Sequence, residues 1–230
     1  MNVETLEQVR NLTEARARFY ELLASLYFKE LDEQGIRRLA ASGLDSLSIG
    51  NDEADAGLAA MASYLKHCGR NVRQDLAVDF AGAILAAGSY EERRATPYES
   101  VFTSESGLLM QEARDEVYRY YCDAGVQVEV ALRTPEDHLS FECEFMAAMA
   151  RRMIETLDEG DYARAAELAH TQQLFHREHL ANWMDDYCDC LRECAATRFY
   201  RGVAQLTHGF IGEDAVMLSD TVEALEEAHA

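Results

Sequence analysis

The 230-residue chain carries 42 acidic against 21 basic side chains, a formal net charge of −21, with 48% apolar and 27% charged residues. That balance argues against nucleic-acid binding and against anionic membrane surfaces, both of which would repel it, and leaves a globular chain with a well-solvated surface or a basic partner. No apolar run approaches the roughly 20 residues of a membrane helix, the polar start Met1-Asn2-Val3-Glu4-Thr5 reads as no targeting segment, and the six cysteines form no disulfide-scaffold pattern; the expected setting is the reducing cytoplasm.

Taken in order, apolar spacing predicts a first helix from Thr13, as its N-cap, to Phe28, with Ala15, Phe19, Leu22, Leu23 and Leu26 on one face. A shorter helix over Asp32 to Ala41 ends before Gly43, and Leu44 to Asp52 reads as loop. Helices follow over Glu53 to His67 and over Val72 to Ala87, the latter stopped by Gly88. Residues 88 to 104 form the first non-helical stretch, with the charged run Glu91-Glu92-Arg93-Arg94 and then Thr96-Pro97-Tyr98-Glu99-Ser100-Val101-Phe102. Helix resumes over Ser106 to Tyr121 and ends at Gly125. Val126, Val128 and Val130 alternate with polar residues, which suggests an extended connector, because a lone strand has nothing to pair with.

Thr134-Pro135-Glu136-Asp137-His138 then opens the longest predicted helix, to Leu157, with Thr134 as N-cap and Pro135 at the first helical position. The break Asp158-Glu159-Gly160-Asp161 is followed by helices over Tyr162 to Phe175, Glu178 to Cys194 and Thr197 to Phe210. Gly209 and Gly212 bracket a break before a last helix, Asp214 to Ala228. The sum is an all-α bundle of roughly nine to eleven helices, read as one domain over residues 1–230, with a sub-division near the connector 125–134 as the alternative.

The only two prolines in the chain are Pro97 and Pro135. Proline fixes its own φ and pushes the preceding residue out of the α region, so both mark defined loops. Asp137 and His138 are placed in the first turn of the helix opened by Pro135, where a carboxylate suits the free N–H groups and the dipole. They read either as a capping cluster or as an acid and imidazole pair able to grip a cation or a backbone carbonyl. Asp137 and Glu144, two turns apart, would share one side of the helix. The aromatics of the Pro97 segment either plug the core or line a ligand groove.

A metal reading of His176-Arg177-Glu178-His179 fails on spacing, since the histidines are three apart rather than four. A di-iron bundle would want Glu-x-x-His motifs from paired helices, a test that Glu142 to Phe145 and Glu193 to Ala196 fail. Cys188, Cys190 and Cys194 form no zinc knuckle, and only Cys190 and Cys194 share a face; buried thiols are expected. No phosphate-binding glycine loop and no Gly-x-Ser-x-Gly is present, so the expectation is no enzyme, no cofactor and no metal.

With these residues in hand, the chain resembles the TorD/DmsD family of redox-enzyme maturation chaperones. Pro97-Tyr98-Glu99-Ser100-Val101-Phe102 is similar to the family's Pro-Tyr-Glu-Ser-Val-Tyr loop, and Thr134-Pro135-Glu136-Asp137-His138 to its Glu-Pro-x-Asp-His motif. Phe175-His176-Arg177-Glu178-His179-Leu180 before Trp183 resembles Phe-x-x-x-His-Leu-x-x-Trp, and Phe199-Tyr200 with Leu206 resembles the C-terminal Phe-Tyr segment. Asp79-Phe80-Ala81-Gly82-Ala83-Ile84-Leu85 corresponds less well to Tyr-x-x-Leu-Phe. Thr134 stands where the family has glutamate, and Ala83-Ile84 where it has Leu-Phe.

The resemblance implies a cytoplasmic, all-helical chaperone that binds the twin-arginine signal peptide of a molybdenum-containing oxidoreductase and holds it until the cofactor is loaded. The alternative it implies is an assembly factor that recognises the folded apoenzyme surface and assists molybdenum-cofactor insertion. The peptide-binding candidates carried over are Pro97, Tyr98, Ser100, Asp137 and His138, with Tyr20 and Phe80 as weaker additions. An acidic, aromatic groove suits two guanidinium groups followed by an apolar run. The expected state is a monomer or a domain-swapped dimer hinged between Gly125 and Thr134.

Overall fold

Apolar residues at three- and four-residue spacing recur along almost the whole chain, and the computed structural model, which describes residues 3–85, 95–129 and 132–228, folds them as helix after helix. Among the described residues there are ten α-helices: α1 (Val3–Phe28), α2 (Glu33–Ala41), α3 (Asp52–His67), α4 (Val72–Ala83), α5 (Glu99–Thr103), α6 (Glu112–Asp123), α7 (Leu139–Asp158), α8 (Tyr162–Phe175), α9 (Met184–Cys194) and α10 (Arg198–Glu227). A 3-10 turn covers Leu44–Ser46 and a π turn His176–Leu180. The expected all-α class is borne out, and the β-type pairing found among the described residues is an antiparallel bridge between Tyr98 and His138.

Two long pairings carry the bundle, α1 against α7 and α3 against α10. The second depends on glycine. A Cβ on Gly57 would lie 2.5 Å from Leu206 N and 2.6 Å from Gly202 O, and one on Gly209 would lie 2.5 Å from Ala54 N. These are backbone atoms, so the two helices touch main chain to main chain. Gly209 therefore marks a close approach, not the expected helix break, and α10 runs unbroken through Gly209 and Gly212 for 30 residues. One cluster of buried apolar side chains extends from Val9 to Leu225.

At its centre sits a charged group the sequence did not announce. Arg16 and Asp214, both fully buried, face each other with Nε donating to Oδ1 at 2.6 Å and Nη2 to Oδ2 at 3.2 Å. Gln172 accepts from Arg16 Nη1 at 3.1 Å, and the Tyr20 hydroxyl donates to Asp214 Oδ2 at 2.6 Å. The two buried charges of this group are thus paired and hydrogen-bonded, as burial demands.

Several predicted boundaries move. The first helix starts at Val3, not Thr13; Val9 is buried, and the Thr13 hydroxyl bonds back to Val9 O at 2.7 Å inside the helix instead of capping it. Thr134 and Pro135 do not open the long helix. It starts at Leu139 with His138 as N-cap, because Glu136 and Asp137 form a turn and His138 pairs with Tyr98, and the Thr134 hydroxyl donates to Leu132 O at 3.2 Å. Helix α6 starts at Glu112 rather than Ser106, and α5 interrupts the stretch expected to be non-helical. The helix expected from Glu178 begins instead with the π turn, and α9 starts at Met184. Helix α8 matches its prediction end to end, with Asp161 accepting from Arg164 N at 3.0 Å. Ala87, Gly88, the run Glu91 to Arg94 and Val130 lie outside the described residues.

Candidate functional site

Each proline fixes its own φ and lacks an N–H, which favours an extended segment around it, and the fold zips the two segments together. Leu139 N–H donates to Pro97 O at 2.9 Å, and Glu99 N–H donates to Asp137 O at 3.0 Å, with the Tyr98–His138 bridge between them. Four of the seven candidate residues, Tyr98, Ser100, Asp137 and His138, meet here, and Pro97 is buried alongside.

Asp137 pins the zipper. Its Oδ2 accepts from Ser100 N–H at 3.0 Å and from the Ser100 hydroxyl. A carboxylate there satisfies a free amide in the first turn of α5, supplied from a different segment. Ser100 Oγ in turn accepts from Gln111 N–H at 3.2 Å, which ties down the segment leading into α6. Both side chains are fully buried. Asp137 precedes α7 instead of lying in its first turn, so it shares no exposed face with Glu144, which is on the surface.

His138 caps α7. Ser140 N–H donates to His138 Nδ1 at 3.1 Å, which assigns the ring proton to Nε2. Burial lowers the His138 pKa to about 4, so the ring is neutral at pH 7. The Tyr98 ring stands edge-on to it, 4.8 Å between centroids. Burial, with Asp137 nearby, raises the Tyr98 hydroxyl pKa. Phe102, from the same segment, plugs the core against Trp183 and Tyr187, both at 5.5 Å.

Under the zipper lies a buried acid cluster. Glu99 Oε2 is 2.9 Å from His179 Nδ1, and Glu99 Oε1 accepts from Asn182 Nδ2 at 2.7 Å. Glu142 is fully buried, and among the described residues neither of its oxygens has a hydrogen-bond partner; nor has Asp137 Oδ1. Burial, together with Glu99 and Asp137, pushes the Glu142 pKa well above its usual value, so the side chain holds a proton.

Tyr20 and Phe80 do not join this group. Tyr20 is bonded to Asp214 in the core, and Phe80 packs on Tyr200 at 6.0 Å. His176 Nε2 meets Ile211 O at 2.9 Å, whereas His179 meets Glu99, so the two histidines serve different partners. Cys190 and Cys194 do share a face, with sulfurs 3.9 Å apart.

What the zipper presents to solvent is a ledge that the sequence reading took for helix. Leu108 is 62% exposed, Leu109 44% and Met110 57%, in a non-helical turn where Met110 has φ +61°. Arg114 holds the other wall in place with two bonds to Glu136, at 2.6 and 2.9 Å. Between them is a hollow of about 250 Å³ lined by Met110, Val128, Thr134 and Pro135, by the carboxylates of Glu129 and Glu136 and by Arg114 and Arg133. The signal available in the sequence was Gly107 followed by three apolar residues, a run no amphipathic helix needs. No helix among the described residues is long and apolar enough to cross a membrane.

Comparison with known proteins gives a consistent picture. The family model described as the nitrate reductase delta subunit matches residues 51–189. A protein of Vibrio parahaemolyticus named chaperone protein TorD is 29% identical over 218 residues, covering 93% of this chain and 99% of the relative. Proteins of the same name from Vibrio cholerae, at 29% identity over 97% of this chain and all of the relative, and from Shewanella pealeana, at 25% over 95% and 96%, align as fully.

Proposed function

The chain belongs to the nitrate reductase delta subunit family, with TorD chaperones among its relatives, and we propose that it is a cytoplasmic chaperone, without catalytic activity, for the maturation of a molybdenum-containing oxidoreductase. Its ligand is the twin-arginine signal peptide of that enzyme, held until the cofactor is loaded. The observation that carries this reading is the Ser100–Asp137 zipper, which fixes an exposed apolar ledge at Leu108–Met110 beside the Glu129 carboxylate, with Glu136 held by Arg114. A peptide with basic residues next to an apolar run matches both halves of such a surface.

The candidate residues divide the work. Ser100, Asp137 and Pro97 are buried and position the ledge. His138 Nε2–H and the Tyr98 hydroxyl are the groups of the zipper that can donate to a bound main chain. The charge of −21 steers a basic peptide toward the protein, and salt screens that attraction beyond a Debye length of about 10 Å at 0.1 M. The chain acts as one helical domain.

Replacing Leu108 and Met110 together by serine tests the ledge. Both are exposed, so circular dichroism melts stay unchanged while leader-peptide affinity falls about tenfold or more, roughly what the loss of two partly buried apolar contacts removes. Unchanged affinity in that variant overturns the assignment of the peptide to this surface.

A further inference from the structure

The cysteines of α9 stand out in the sequence and take no part in the zipper or the ledge. Cys190 and Cys194 lie four residues apart on one face of the helix, with their sulfurs 3.9 Å apart, and both are thiols. Cys190 is fully buried, whereas Cys194 is half-buried, with exposed Glu193 before it and exposed Ala196 just beyond. The chain thus offers solvent one thiol with a second one helical turn away in the core. Cys188, two residues from Cys190, faces elsewhere.

Backbone bonds hold this spacing. Cys194 ends α9, and the Ala195 N–H donates to Leu191 O at 2.9 Å. Asp79, from α4, accepts from Ala196 N–H at 2.8 Å and Thr197 N–H at 2.7 Å, and Arg201 Nε donates to Ala195 O at 2.9 Å. A disulfide needs sulfurs about 2.0 Å apart and Cβ atoms roughly 4 Å apart, whereas a helical turn keeps the Cβ atoms about 5–6 Å apart. Closing that gap would drag the pinned chain after Cys194. One atom bonded to both sulfurs asks for less. With bonds of about 2.3 Å, the zinc–thiolate length, and angles of roughly 100–110°, it holds them about 3.5–3.8 Å apart. Zinc itself takes four ligands, and among the described residues no group of three or more His, Cys, Asp or Glu side chains is placed to hold a metal ion. The pair suits a thiophilic centre that two sulfurs satisfy.

We propose that Cys190 and Cys194 form a dithiol site for trivalent arsenicals, that is, an inorganic or organic arsenous acid. Two S–H and two As–OH bonds break, two As–S bonds form and two water molecules leave; arsenic stays trivalent and neither sulfur is oxidised. The product is neutral, so no charge is buried beside Cys190. Cys194 reacts first, because it reaches solvent, and Cys190 then closes the chelate at the high effective concentration that one helical turn imposes. The site shares no residue with the zipper or the ledge, and it stands or falls independently of leader binding.

The test is phenylarsine oxide added to the full folded chain, followed by excess glutathione and read by intact mass spectrometry with peptide mapping. One phenylarsenic group per chain survives the glutathione, maps to Cys190 and Cys194 together, and leaves on addition of the small dithiol dimercaptopropanol. Exposed Cys122 forms only a single-sulfur adduct, which glutathione strips. Cys194→Ser, at a half-buried position, lowers the glutathione concentration that removes the adduct about a hundredfold or more, the loss of the chelate. Cys68→Ser and Cys122→Ser leave that concentration as in the parent, and circular dichroism confirms that each variant is folded. No adduct that survives glutathione, an adduct equally stable in Cys194→Ser, or one that forms only in urea overturns the site.

Discussion

Glu142 should make the protein less stable as pH rises, and replacing it by glutamine should remove that loss. Its carboxyl is fully buried on α7 with no hydrogen-bond partner for either oxygen among the described residues, and burial plus Glu99 and Asp137 hold its pKa well above the ordinary 4.5. In the folded state it is protonated; in the unfolded chain it ionises near 4.5. The native state therefore binds the extra proton, and stability falls with rising pH from about 4.5 up to the folded-state pKa. The slope from this one group is at most about 1.4 kcal/mol per pH unit. Each pH unit covered before the folded-state pKa is reached is thus a sizeable part of a stability of about 5–15 kcal/mol. Glu142→Gln keeps the shape and cannot ionise. Urea unfolding followed by the fluorescence of buried Trp183, at pH 5, 6, 7 and 8, reads the difference between the two proteins. Background titration of the other acidic groups is common to both and cancels. The variant should lie within about 1 kcal/mol of the parent at pH 5 and gain on it by pH 7. Parallel stability curves across that range would refute the assignment of a buried, protonated Glu142.

Other consequences follow from the same structure. Asp214→Asn leaves the buried Arg16 guanidinium without its counter-charge and should cost about 3–5 kcal/mol in urea unfolding; a loss below about 1 kcal/mol contradicts the buried pair. His138, with its pKa lowered from 6.5 to about 4, favours folding above pH 6.5 and loses that contribution as pH falls toward 4, on the order of 3 kcal/mol in all. His138→Asn keeps a capping side chain, so its stability should fall less steeply between pH 6.5 and 4.5, and an equal slope rejects the neutral buried ring. Gly209→Ala should destabilise by about 1–3 kcal/mol, because its Cβ meets the backbone of α3, whereas Gly212→Ala, with open space around it, should stabilise α10 by about 0.5–1 kcal/mol; thermal melts of the pair separate packing from helix breaking.

Periodicity made the helices legible, and Tyr162–Phe175 with its Asp161 cap was readable to the residue. What failed were inferences from single punctuating residues. Gly209 looked like a break because a lone glycine in a helix normally weakens it, but here it lets α3 and α10 approach. Thr134 and Pro135 have the composition of a helix start, yet Glu136 and Asp137 turn and long-range bonds from Leu139 and Glu99 tie this segment to that of Pro97, which delays α7 by four positions. Local sequence contains no record of those partners. The two proline motifs did point to one place, and Tyr98, Ser100, Asp137 and His138 do meet there. Their burial was not readable, because the same residue types in an open loop would be solvated. The ledge at Leu108–Met110 was hidden by a helical reading that its own three adjacent apolar residues did not require.

The central claim is that an acidic, apolar-edged surface binds a twin-arginine leader. Calorimetric titration with such a leader peptide, beside a version with both arginines changed to lysine, at low and at moderate salt, tests it most directly. Micromolar or tighter binding, weakened by salt and by the lysine change, is the predicted result. Absence of heat with any leader, or an affinity indifferent to both changes, would contradict it.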